Sequence, residues 1–215
     1  MSRTPSPTFI YWKVASRAQL PMLLLASKNI KFDWNDTMAN KWPASKSEMP
    51  FGQLPVLELE NGIRIGQSGA IARYCATLAK LLPDNPVDRA VVESIMDQCD
   101  DVFDAMGKAK YAGDDVAQAK AWWAFEENGL DSKIQPIETM LQSQSGAFFG
   151  GAEFNAADIA VFSVMNLVDR AGISWRERYP NITNLYTEIA GMGEIPGYLE
   201  KQYPAYFEMK VKFER

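Results

Sequence analysis

The sequence predicts two units in series, a small α/β unit over residues 1–82 and an all-α helical bundle over residues 88–215. Three observations carry this. Short strand-like runs separated by helices fill the first 82 residues; a proline-bearing link, LLPDNP at 81–86, follows; beyond it apolar residues recur three and four apart. At about 150 residues per domain, a chain of 215 lies between one and two domains, so the change of pattern rather than the length makes the division.

Taken in order, residues 8–12 read as a strand, 16–27 as a helix and 31–34 as a second strand. Residues 55–59 and 63–65 read as a hairpin across Glu60-Asn61-Gly62, whose Asn-Gly pair favours the positive φ of a tight turn. From Gln67 a helix places Ala70, Ile71, Tyr74, Cys75 and Leu78 on one face. Past the link, Val92, Ile95, Cys99, Val102, Phe103 and Met106 mark the buried side of a long helix. Residues 114–144 form another helical stretch, with a break at Gly129 or Pro136. Asn155, with Asp158 three residues on, reads as a variant capping box, and the helix it opens is apolar on every side over 159–168. Such a helix belongs at the centre of the second unit. Helices over 182–192 and 196–202 complete the bundle before an aromatic and charged tail, 203–215.

Composition removes several chemistries. With no histidine, the chain holds no Ser/His/Asp or Cys/His relay, no H-E-x-x-H metal site and no imidazole base. Its two cysteines, Cys75 and Cys99, supply neither a CxxC nor a disulfide scaffold, and both fall on apolar helix faces as small core residues. The net charge of −5, without a Lys/Arg stripe, argues against nucleic acid. The longest apolar run, 20–26, is far short of a membrane span, and residues 1–7 do not read as a signal peptide, so a soluble, cytoplasmic protein is expected.

The segment MPFGQLPVL at 49–57 is the most informative. A cis Leu54-Pro55 bond would turn the Leu54 backbone outward to pair with an extended peptide, while a trans proline would simply open a strand. Twelve residues on, Gln67-Ser68 opens a helix whose free N–H groups suit a small carboxylate, or whose Ser68 merely caps it. Together these features describe a site for an extended peptide carrying a carboxylate at one end.

At this point the sequence resembles the glutathione S-transferase family, most closely its Sigma class, which includes haematopoietic prostaglandin D synthases and S-crystallins. The resemblance spans nearly the whole chain. It rests on Tyr11-Trp12 with Arg17-Ala18-Gln19, on Trp42-Pro43, Lys46 and the run from Pro50 to Glu58, on the helix from Gln67 to Tyr74, on Asp97, Asp100 and Asp101, and on the capped helix from Asn155. It implies a thioredoxin-like first domain, an all-helical second domain and a glutathione transferase, detoxifying small hydrophobic electrophiles with glutathione as co-substrate and no metal required. Gln67 and Ser68 would take the γ-glutamyl carboxylate, Leu54, flanked by Gln53 and Pro55, would pair with the cysteinyl backbone, and Trp42 and Lys46 would hold the glycine carboxylate. Tyr11 would donate its hydroxyl to the sulfur, aided by the Arg17 cation. Trp12, Val14, Phe103 and Met106 would line the electrophile pocket. Asp101 would reach the glutathione amine of the other subunit of a homodimer.

Some relatives hold Mg²⁺ or Ca²⁺ between paired acidic stripes; the plain alternative for Asp97, Asp100, Asp101 and Asp104 is a solvated face. The departures are Gln19 for the family's usual Glu, Lys13-Val14-Ala15-Ser16 for a glycine-containing loop, and Lys108 near a position the prostaglandin synthases give to tryptophan. They leave room for a non-enzymatic member, S-crystallin-like or ligand-carrying, or for a protein-interaction module.

Overall fold

The computed structural model describes residues 6–201 and Pro204. Two compact units emerge: residues up to Leu81 joined by Gly191–Pro204, and Leu82–Ala190. In the first unit β1 (Thr8–Ile10) leads to α1 (Gln19–Ala26), β2 (Asp33–Asn35), the short α2 (Thr37–Asn40) and a 3-10 turn at Ala44–Glu48. Then come β3 (Val56–Glu58), β4 (Arg64–Gly66) and α3 (Ser68–Leu78). The sheet order is β2-β1-β3-β4, with β1 parallel to β2 and antiparallel to β3, and β3 antiparallel to β4. This is the thioredoxin-like arrangement expected, with β1, β2 and β3 shorter than their expected runs and β4 shifted by one residue from 63–65.

The hairpin closes differently from the Asn-Gly expectation. Gly62 alone takes a positive φ of 80°, its N–H donating to Leu59 O at 2.9 Å, while Leu59 N–H donates to Ile63 O. A three-residue loop with a left-handed glycine results. The buried face of α3 is Ile71, Ala72, Cys75 and Ala76, so the stripe is rotated: Ala70 and Leu78 are exposed, Leu78 by 44 %.

The second unit contains α4 (Pro86–Lys110), α5 (Asp115–Ala124), a π-helical turn at Phe125–Gly129, α6 (Leu130–Gln142), α7 (Ala156–Arg170) and α8 (Pro180–Ala190). Pro86 begins α4 with Asn85 as its cap, the first-turn place where the missing N–H costs nothing. The interruption expected at Gly129 or Pro136 is the π turn ending at Gly129; Pro136 lies inside α6 without ending it. α7 is buried from Ala156 to Val168, as its all-apolar sequence requires. Asn155 Oδ1 accepts from Ala157 N–H and Asp158 Oδ2 from Asn155 N–H, both at 2.8 Å.

The helix α9 (Ile195–Glu200) departs from the expected bundle and packs against α1 in the first unit. Glu194 N–H donates to Ala26 O at 2.9 Å, and a Cβ on Gly193 would lie 2.6 Å from that oxygen. Apart from Pro204, the tail 203–215 lies outside the described residues. No helix among the described residues is long and apolar enough to cross a membrane.

Candidate functional site

Strand register builds the site. Ile10 pairs with Val56 and Val56 with Gly66, so one row runs across β1, β3 and β4 at a single edge of the sheet. Flanking this row at the strand ends stand Tyr11 after Ile10, Pro55 before Val56 and Gln67 after Gly66. Three residues far apart in sequence therefore meet at the strand ends because three apolar runs pair in that register.

Each is fixed by local structure. The peptide bond between Leu54 and Pro55 is cis, as is that between Trp42 and Pro43. The ladder starts at Val56, and the Leu54 N–H and C=O pair with no other described group. Gln67 caps α3 with φ 72° and ψ 113°, a conformation L-residues adopt at a cost of roughly 1–3 kcal/mol. Its Nε2 donates to Gln53 Oε1 at 2.9 Å, which ties α3 to the loop before β3. Ser68 is the first residue of α3, and the side chain of Gln67, at the cap position, makes no hydrogen bond to that terminus. The first N–H groups of an eleven-residue helix thus stand open beside Gln67.

Tyr11 is buried, 5 % exposed. Its N–H donates to Asn35 O at 3.3 Å and its carbonyl accepts from Trp34 Nε1 at 3.1 Å. Sequence reading does not single out Trp34 and Asn35; the signal was their position at the end of a strand parallel to β1. Trp42 and Leu54 pack on a small core of Ile10, Met49 and Val56. Trp12 touches Tyr11 and Trp42 edge-on, with ring centroids 5.5 and 6.0 Å apart. Lys46 is exposed, and a Cβ on Gly52 would come within 3.3 Å of its Cγ and Cε, so a glycine there gives the lysine stem its path. In the loop after β1, Arg17 and Val14 are half-buried, Ala15 is buried, and Ala15 N–H donates to Pro204 O at 3.0 Å.

In the second unit Asp101 is exposed on α4 and meets Lys133 Nζ at 3.7 Å, so the acidic stripe has a cation beside it. Phe103 and Met106 lie on the buried face of the same helix, 8 % and 0 % exposed. Met106, having no surface of its own, is core packing rather than a pocket wall. No group of three or more acidic, Cys or His side chains placed to hold a metal occurs among the described residues. Burial pushes the Cys75 thiol up to about 12 and the Cys99 thiol higher still, with Asp100 adding to the latter. Neither is a nucleophile near neutral pH.

The family model of the glutathione S-transferase N-terminal domain matches residues 7–77, and that of the C-terminal domain matches 100–202. The chain belongs to the glutathione S-transferase family. Its expected enzyme class is the class for which that family is named. Among similar proteins is the haematopoietic prostaglandin D synthase of Gallus gallus, 28 % identical over 200 residues, spanning 92 % of this chain and 97 % of that one. S-crystallin 4 of Enteroctopus dofleini is 26 % identical over 209 residues, with the same coverage. The Sigma-class glutathione S-transferase of Fasciola hepatica has the same fold, at a TM-score of 0.79 and 22 % identity, covering 92 % of this chain and 96 % of that one.

Proposed function

We propose that the chain is a cytoplasmic, dimeric, Sigma-like glutathione transferase that detoxifies small hydrophobic electrophiles by conjugating them to glutathione. The observation that carries the reading is the row Tyr11, Pro55, Gln67 at one sheet edge, with the unpaired Leu54 backbone and the uncapped start of α3 beside it. An extended peptide needs a strand edge to pair with and its carboxylates need donors; both are supplied here. Gln67 and Ser68 take the γ-glutamyl carboxylate, Leu54 pairs with the cysteinyl backbone between Gln53 and Pro55, and Trp42 and Lys46 hold the glycine carboxylate.

The chemistry then falls to Tyr11. A free thiol with pKa of about 8.5 is a small fraction thiolate at neutral pH, and the thiolate is the nucleophile. A phenol O–H donating to sulfur, with Arg17 supplying positive charge, favours the ionised form; each unit of lowering corresponds to about 1.4 kcal/mol. The thiol proton passes to solvent water. The thiolate sulfur then donates its electron pair to form a C–S bond, either as a leaving group departs with the electrons of its own bond or by addition to an activated double bond whose carbanion takes a proton from water. Trp12 and Val14 are electrophile contacts, and Asp101 serves the glutathione of a second subunit.

The test is conjugation of glutathione to a chlorodinitrobenzene by the wild type beside Tyr11→Phe. Loss of about 10- to 100-fold in kcat with glutathione binding retained supports the reading. A variant as fast as the wild type removes Tyr11 from the mechanism.

A second reading is favoured by the burial of Tyr11 and by the S-crystallin relative. In it the chain keeps the fold and the glutathione pocket as a structural or ligand-carrying protein. It is recognised by a wild type that conjugates nothing while glutathione still raises its melting temperature.

A further inference from the structure

Beyond the residues that touch glutathione in this reading, one side chain links two of them. Trp12 follows Tyr11 directly, is half-buried, and meets two rings edge-on: Tyr11 at 5.5 Å and 66°, and Trp42 at 6.0 Å and 74°. Trp42 has apolar support on its other contacts from the cluster of Ile10, Met49 and Val56. Apolar packing restrains an indole without direction, whereas an edge-on ring adds a directional restraint on its χ angles, because aromatic pairs favour offset and T-shaped geometries over others. Trp12 is the aromatic partner of Trp42 among the described ring contacts.

We propose that Trp12 is a positioning residue for the glycine end of glutathione, orienting the Trp42 indole N–H toward that carboxylate through their edge-to-face contact. The proposal rests on the reading that this sheet edge binds glutathione. It moves the main task of Trp12 from the electrophile to the tripeptide. Because the contact serves only the glycine carboxylate, a ligand without that group is blind to it.

Calorimetric binding of glutathione and of γ-glutamylcysteine, which lacks the glycine, to the full-length wild type, Trp12→Leu, Trp12→Phe, Trp42→Leu and the Trp12→Leu/Trp42→Leu double variant tests this. Trp12→Leu keeps apolar bulk but removes the ring, and is expected to weaken glutathione about three- to tenfold while weakening γ-glutamylcysteine, which meets Tyr11 but not Trp42, by less than about twofold. Trp12→Phe restores most of the loss, and the double variant binds glutathione no more weakly than Trp42→Leu alone. Equal loss for both thiols, additive losses in the double variant, or no loss in Trp12→Leu overturns the role of Trp12. A wild type that binds neither thiol overturns the glutathione reading itself, and the two failures are thereby distinguishable.

Discussion

Gln67 holds a φ of 72° without being glycine, and its amide meanwhile reaches Gln53. A residue kept in a costly conformation by its surroundings marks a place where geometry is being held for a purpose. Gln67→Gly separates the two contributions. Stability should stay level or rise by up to about 1 kcal/mol as the backbone cost disappears, while glutathione binding should weaken by about tenfold or more with loss of the side chain. Urea unfolding and calorimetry on the same sample read both. The cysteines give a second expectation at this scale: with Cys75 at about 12 and Cys99 above it, a thiol-specific disulfide reagent should leave the native chain unlabelled at pH 7.5 and react at both in denaturant. The placement of Leu54, Gln67 and Ser68 at one edge of the sheet was legible, since they lie in motifs with a physical rationale, whereas Tyr11 came from the family resemblance. The positive φ of Gln67 and the hold of Trp34 and Asn35 on Tyr11 were not legible, because both arise from pairing between segments more than ten residues apart.

Two helix starts in the second unit depend on buried carboxylates. Asp158 is fully buried, and accepts from Asn155 N–H at 2.8 Å and Phe149 N–H at 3.0 Å, joining the cap of α7 to the loop before it. Burial pushes its pKa up from 3.8 to about 6 against the pull of those N–H groups. The folded chain therefore keeps this proton to higher pH than the unfolded chain. The group's contribution to stability is full below about pH 4 and declines as pH rises through about 6, by on the order of 3 kcal/mol. Asp158→Asn removes the titration, so the wild type's stability advantage over this variant should shrink between pH 4 and 6; a constant difference, or one that grows, contradicts the assignment. Glu138 on α6 accepts from Asn181 N–H, Asn181 Nδ2 and Ile182 N–H at 2.7–2.9 Å, and so caps α8 from another helix. Glu138→Ala should cost about 2–4 kcal/mol in chemical unfolding, because the donors lose their acceptor where water is excluded. The first cap was legible, being local and three residues long. The second spans more than forty residues and leaves no local signature.

At the scale of the molecule, the division near residue 82 follows from a change of periodicity that any reader of the chain can count, whereas the destination of α9 does not. A short helix with an apolar side fits any apolar groove, and nothing within 195–200 tells α1 from a helix of the bundle. The selecting feature is the close approach before it: Gly193 has φ 53°, and its α-carbon faces Ala26 O and Ser27 O too closely for any side chain. Gly193→Ala should lower stability by about 1–3 kcal/mol, read by thermal unfolding, by forcing the segment away from the end of α1. The same packing has a consequence for synthesis on the ribosome. The first unit is written in two separated stretches of the chain, its closing piece following the whole of residues 82–190. At about 5–20 residues per second the opening sheet waits several seconds to some twenty seconds for α9 to arrive. A nascent chain, or one cut short by a premature stop, thus carries the residues of the thiol site without the piece that closes their unit.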